Sequence, residues 1–275
     1  MHRNDWLALT RNAVPPPDLD PDVLTRDLLT FLASPDPELR DTVAYTLLAA
    51  WIQAGRFTPG QQRDLLDVAR ARLHVGLGEQ DTDSVFIRSF AALLLASLIE
   101  RDLRAPFLLP TDRRQALDDC LTLLVGERDL RGYDQQRGWA HTTAHTADAL
   151  GALAQQPDLT SDDLGRVLRT MFERLVLSDH LFLFWEPSRL ALAGMVCLTR
   201  LDDDEVTAWS DRIANWITRN AHGSFTPDLA ARRANVEAFL ASLALHLEDR
   251  ASSRVTRDRI RGLLEQSFFI VRTGS

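Results

Sequence analysis

The hydrophobic positions of this chain recur with the spacing of a helix and almost never with the two-residue alternation of a strand. Helical segments of a first kind are rich in Ala and Leu on nearly all sides, and they begin near Pro37, Ser84, Gly138, Pro187 and Pro227. Segments of a second kind are apolar on one face only, and they begin near Pro59, Thr111, Ser161, Asp204 and Ser253. The pattern therefore predicts an all-α protein with about five helix pairs.

Each kind of segment recurs at intervals of roughly 40 to 55 residues, which overlaps the length of HEAT and armadillo units. Helices that are apolar nearly all round need cover on both sides, so we expect the first kind to form an inner layer and the second an outer layer. A HEAT-like open arc is the favoured architecture, and a closed α/α toroid is the alternative. No long Gly-, Ser- or Pro-rich linker separates the pairs, so we expect residues 1–275 to form a single α-helical repeat domain.

Several predicted helices begin with recognisable capping residues. Thr58 and Thr226 each precede a proline, which favours a hydroxyl cap followed by proline at the first helical position. Thr160 is followed three residues later by Asp163, which resembles a capping box.

Charge and composition narrow the classes of partner. The formal net charge is −8, and the 31 basic residues, all of them Arg, are scattered among acidic ones, so a nucleic-acid partner is not expected. No apolar run is long enough to span a bilayer and the N-terminus lacks the features of a secretory signal, which predicts a cytoplasmic protein without membrane contact. Cys120 and Cys197 each lie in an apolar helical run, which indicates buried thiols.

One stretch, residues 129–150, gathers unusual residues at a meaningful spacing: DLRGYDQQRGWAHTTAHTADAL. Read as a helix from Trp139, it places His141, His145 and Asp148 at i, i+4 and i+7 on one face. Three titratable groups in line on an otherwise apolar helix indicate either a functional site or a buried, hydrogen-bonded strut.

Other inner helices carry further polar residues, and a buried charge must be paired because an unpaired one costs several kcal/mol. They lie on successive inner helices, so we expect them to converge with the histidines on one concave surface; they are Arg88, Ser89, Glu186, Arg189 and Asn235.

Three segments, DSVFIRSFAALLLA, DLRGYDQQRGWAHTTAHTADAL and EPSRLALA, resemble the bacterial domain-of-unknown-function 2785 family, whose members carry similar RSF, RGWAHxxxHxxD and acidic-x-x-Arg patterns. The resemblance covers most of the chain from about residue 40 onward, and the histidine motif is its most specific part. It implies a helical fold and no established reaction. Where the family pattern has an acidic pair before the arginine, this chain has Glu186, Pro187, Ser188 and Arg189.

The first functional hypothesis is a metal site. Two histidines at i, i+4 can chelate one divalent ion such as zinc, and Glu186 from another inner helix is the predicted third ligand. Asp148 lies about 10.5 Å along the axis from His141, too far to bind the same ion, and would orient His145 instead.

The second hypothesis needs no metal. A His/Asp pair acts as general base while arginines hold a small anionic ligand, and the predicted ligand-binding residues are Arg88, Asp148 and Arg189, with Arg131 as a further candidate. A third, structural hypothesis has these residues bridging adjacent repeats through hydrogen bonds.

The leading function is therefore binding of a small molecule or metal ion in a polar concave pocket, with hydrolase activity as a further hypothesis. The alternative is a protein-interaction scaffold without catalysis.

Overall fold

The computed structural model describes residues 1–14, 20–221, 226–248 and 253–273. Apart from one short hairpin, the regular secondary structure of the described residues is helical, which confirms the predicted all-α class. None of the described helices is both long enough and apolar enough to cross a bilayer.

The helices follow one another in chain order, and the third begins as a continuation of a π-helical stretch, Glu38–Tyr45. Their bounds are α1 Arg3–Leu9, α2 Pro21–Phe31, α3 Thr46–Gln53, α4 Pro59–Arg72, α5 Ser84–Arg104, α6 Pro110–Gly126, α7 Thr142–Ala154, α8 Ser161–Leu177, α9 Glu186–Leu198, α10 Asp203–Arg219, α11 Pro227–Glu248 and α12 Arg254–Thr273. Strands β1 (Tyr133–Asp134) and β2 (Gly138–Trp139) pair antiparallel between α6 and α7.

The predicted capping residues hold their helices as expected. Thr58 and Thr160 each complete a capping box, in which the hydroxyl accepts the N–H three residues later and that later side chain accepts in return. Thr226 accepts the N–H of Leu229 at 3.2 Å. These caps explain why the starts of α4, α8 and α11 could be predicted closely.

The chain divides into two compact units, residues 1–149 and 150–275, and the division falls inside α7. In the first unit α4 and α3 pack on α5, and the π-helical stretch packs on α2, α3 and α5. In the second unit α11 packs against α8, α9 and α12. The single repeat domain and the HEAT-like arrangement stay predictions.

Burial differs between the two kinds of helix. Every residue of α5 from Arg88 to Ile99 is buried, whereas α8 buries one apolar stripe along a single helix face: Leu164, Val167, Leu168, Met171 and Leu175. Cys120 and Cys197 are buried free thiols as predicted, and burial raises the pKa of both.

Candidate functional site

His141 lies directly before α7 rather than inside it. The prediction of a helix from Trp139 is wrong, because Trp139 belongs to the hairpin and His141 takes a left-handed conformation with φ of 53°. The His145 N–H nevertheless donates to the His141 carbonyl at 3.0 Å, so the two histidines keep the predicted one-turn spacing. Their ring centroids lie 5.3 Å apart, and each residue is 8% exposed.

A hydrogen-bonded chain fixes the orientation of His145. The hydroxyl of buried Ser89, on α5, lies within hydrogen-bond distance of the Ala140 carbonyl and 2.7 Å from Nδ1 of His145. A carbonyl only accepts and a serine has one hydroxyl proton, so Ser89 donates to Ala140 and accepts from the Nδ1–H of His145. Neutral His145 therefore carries its proton on Nδ1, which leaves Nε2 as the accepting nitrogen.

Aromatic rings hold both imidazoles in place. Trp139 stacks on His141 with centroids 4.9 Å apart and an angle of 27° between the planes. Phe90 meets the ring of His145 edge-on at 5.4 Å, and Tyr133 meets Trp139 at 4.9 Å. The row begins at exposed Tyr133 and ends at buried Phe90, and both histidines between them are buried.

The loop before the hairpin is held by buried ion pairs. Arg88 forms a two-pronged pair with Glu127 at 2.7 and 2.8 Å, and its remaining nitrogen donates to the Val75 and Gly76 carbonyls and to Ser84. Its side chain has no exposed surface. These contacts favour the structural interpretation of Arg88 over the predicted contact with a ligand.

Arg131 is likewise held by hydrogen bonds within the protein. It donates to both carboxylate oxygens of Asp129 at 2.8 and 2.6 Å and to the Thr82 carbonyl at 2.9 Å. The hydrogen bond with Asp129 raises the pKa of Arg131. The Arg131 carbonyl in turn accepts the N–H of His141 at 3.0 Å, so this arginine supports the site through its backbone.

Asp148 lies on α7 one turn beyond His145 and is partly buried. It faces the end of α5, where burial raises the pKa of Glu100, Arg104 lowers it and the charge of Asp148 raises it further. The structure therefore brings Asp148 near a second carboxylate.

Glu186 and Arg189 belong to the second unit, at the start of α9. Glu186 is 1% exposed and accepts the N–H of Phe184 at 2.8 Å. Burial raises the pKa of Glu186, and the backbone hydrogen bonds partly oppose that rise. The preceding Trp185 is left-handed with φ of 65° and 69% exposed, and its carbonyl accepts the N–H of Arg189 at 2.9 Å.

Metal binding by the predicted set receives no support from side-chain placement. Within the described ranges, no three or more His, Cys, Asp or Glu side chains are grouped so that they could hold a metal ion. The zinc-type site at His141, His145 and Glu186 therefore stays a prediction.

Sequence reasoning missed two residues that shape the site, Arg40 and Tyr133. Arg40 has no exposed surface and contacts the hairpin almost a hundred residues later, a distance in sequence that no local pattern signals. Tyr133 lies in a two-residue strand, which is too short to show the alternation that predicts a strand. The only local signal was Gly138, which marks a backbone position with positive φ.

Comparisons with known proteins identify a family and nothing closer. Neither the search of curated proteins nor that of solved structures gave a match. The sequence matches the family described as "Protein of unknown function (DUF2785)" over residues 73–245, a range that includes the hairpin, both histidines, Glu186 and Arg189. The match spans more than half of the chain, and the protein belongs to this DUF2785 family.

Proposed function

We propose that the first unit binds a small molecule at His141 and His145, with Nε2 of His145 as the group that accepts a hydrogen bond from the ligand. The observation that carries this proposal is the chain from His145 Nδ1 through Ser89 to the Ala140 carbonyl. In binding sites, a hydrogen bond at one ring nitrogen of a histidine commonly fixes its tautomer and ring plane, so that the other nitrogen can contact the ligand.

The backbone at His141 supports a functional role. A left-handed conformation at a residue other than glycine costs on the order of 1 to 3 kcal/mol and clusters at functional sites. Here it turns the chain from the hairpin into α7 and keeps the imidazole stacked on Trp139.

The charges around the site favour a neutral ligand over the anionic one suggested by the sequence. Near the hairpin, Arg40 pairs with Asp41, Arg131 with Asp129 and Arg137 with Asp83, and Arg88 pairs with Glu127 in the loop before it. A ligand that brings a hydroxyl or amide N–H to Nε2 needs no counter-charge. The same nitrogen has the character of a general base, and hydrolase activity stays a further hypothesis.

A histidine-detected binding screen tests the proposal. Neutral hydroxyl and amide compounds, and zinc chloride as a separate probe, are added to protein labelled at its histidine rings, and ring shifts are followed by NMR. We expect at least one neutral compound to shift His141 and His145 while sparing His74, which pairs with Asp119 elsewhere. The variant His145→Phe keeps a ring and removes the accepting nitrogen, so it should abolish that response.

Two outcomes contradict the proposal. Compounds that leave both histidines unchanged, or that shift His141 equally in His145→Phe, remove the case for a binding site. Shifts caused by zinc alone would support the metal prediction in its place.

A second candidate function, a protein-interaction scaffold, is favoured by an apolar strip on the second unit. Leu181, Leu183 and Trp185 alternate with the less exposed Phe182 and Phe184, and Leu183 is 70% exposed. An exposed apolar cluster of this kind is typical of surfaces that bind another protein. The predicted cytoplasmic location and the predicted lack of nucleic-acid and membrane partners stay predictions.

The scaffold function predicts that one defined partner depends on the strip. That partner should co-purify with the wild type and with the control Leu192→Ser, which alters an exposed leucine of α9, and be lost with Leu183→Ser/Trp185→Ser. Equal recovery with all three proteins would contradict it.

A further inference from the structure

Arg40 is placed at the meeting point of the elements that carry the two histidines. It lies in the π-helical stretch Glu38–Tyr45, and its guanidinium is enclosed completely. A π-helical turn is rare and is frequently found at functional sites. Here the side chain of Arg40 reaches the hairpin and donates to the Arg137 carbonyl.

The first set of contacts ties Arg40 to the hairpin. One terminal nitrogen donates to the carbonyl of Arg137 at 2.7 Å and to that of Trp139 at 3.4 Å, and the other donates to Ser34 at 3.0 Å. The Nε atom lies 2.7 Å from a carboxylate oxygen of Asp41, in an ion pair that lacks the alignment of a hydrogen bond. Arg40 therefore fixes the backbone of the strand that stacks Trp139 on His141.

The second set of contacts ties Arg40 to α5. Its guanidinium carbon lies 4.2 Å from the centre of the Phe86 ring and 4.8 Å from that of Phe90. Phe90 is the ring that meets His145 edge-on. Arg40 thus contacts Trp139, which stacks on His141, and Phe90, which packs against His145.

Arginine is the residue type that these contacts require. Its planar group stacks on aromatic faces while its N–H donors reach carbonyls in the same plane. A lysine ammonium retains the charge for Asp41 but lacks the plane and the spread of donors.

We infer that Arg40 is a positioning residue of the two-histidine site, which sets the ring geometry of His141 through Trp139 and that of His145 through Phe90. The effect of Arg40 on ligand binding rests on the proposed function. The ring geometry itself is measurable without any ligand.

Ring-current shifts test the inference in the full-length protein. The ring protons of His141 lie over Trp139 and are displaced upfield, and those of His145 are displaced by Phe90. In Arg40→Met we expect the His141 displacement to be largely lost and the His145 resonances to move. Arg40→Lys should show the same loss at His141, since the charge alone does not hold two carbonyls.

The matched control is Arg113→Met. Arg113 is another nearly buried arginine of the first unit; it lies on α6 and pairs with buried Asp102 of α5 at 2.7 Å. We expect this variant to lower the urea midpoint about as much as Arg40→Met and to leave both histidine spectra unchanged.

Unchanged histidine shifts in a folded Arg40→Met protein would overturn the inference. If Arg40→Met does not fold, Arg40→Lys serves as the test variant. Histidine shifts identical to those of the wild type in Arg40→Lys would likewise overturn the inference. Shifts that change equally in Arg113→Met would show a general loss of packing and would also overturn it. Failure of the ligand screen would end the proposed function while leaving this result standing.

Discussion

At the scale of single residues, buried charges in the first unit are held by partners within the protein. Arg88 and Arg131 were predicted to hold an anion, and each instead pairs with a carboxylate in the loop that leads to the hairpin. The sequence marked Arg88 as unusual because it interrupts an apolar helix. It gave no sign of Glu127 as the partner, since 39 residues separate the two and only the folded chain brings them together.

Asp41 provides a prediction about pH. Burial raises its pKa from the ordinary 3.8 to about 6, although the neighbouring charge of Arg40 opposes that rise. Between those two values the folded chain binds more protons at this carboxyl than the unfolded chain does. Its contribution to stability is therefore full at low pH and is lost as pH rises to about 6. Asp41→Asn should remove this loss in urea unfolding series between pH 4 and 7.

The control for this experiment is Asp36→Asn. A hydrogen bond from Arg3 lowers the pKa of Asp36, so its stabilising contribution is lost at acid pH, in the opposite direction. Wild-type and Asp41→Asn stabilities that run parallel across the whole pH range would contradict the account.

At the scale of elements, the sequence predicted helices well and the approach to α7 badly. Amphipathic periodicity and hydroxyl caps are local signals, and they identified α4, α8 and α11 with their starts. The start of α7 depends on strand pairing between Tyr133 and Trp139 and on the left-handed His141. Neither feature has a local pattern strong enough to override the helical reading of the apolar residues that follow.

The hairpin makes a prediction about Gly138. Its φ is 75°, and a Cβ there would lie 2.8 Å from the Cβ of Pro37. Gly138→Ala should therefore lower the free energy of unfolding by about 1 to 3 kcal/mol. Urea denaturation at neutral pH measures this change.

Gly165 is the matched control for that substitution. It lies in α8 with no atom within 4 Å of an added Cβ, so Gly165→Ala should stabilise the protein by about 0.5 to 1 kcal/mol. A Gly138→Ala protein as stable as the wild type would show that the hairpin is not held against the π-helical stretch.

At the scale of the whole molecule, the all-α class followed directly from the period of the hydrophobic positions. Family membership followed from the histidine motif, which lies within the matched range. The HEAT-like arc and the single repeat domain concern how helix pairs succeed one another over the full length. That information lies in contacts between distant segments, which periodicity within a segment does not encode.

Calorimetry tests the single-domain prediction. The helix pairs follow one another without a long linker, so we expect one heat-absorption peak whose calorimetric enthalpy equals the van't Hoff enthalpy. Two separable peaks, or a van't Hoff enthalpy well below the calorimetric value, would contradict a single domain.

The proton position on His145 is a direct test of the proposed binding site. Long-range proton–nitrogen correlation of the histidine rings at pH 8, where an ordinary imidazole is neutral, distinguishes the two tautomers. We expect a proton on Nδ1 and an accepting Nε2 in the wild type, and a mixture of tautomers in Ser89→Ala. A proton on Nε2 in the wild type, or the same single tautomer in Ser89→Ala, would contradict it.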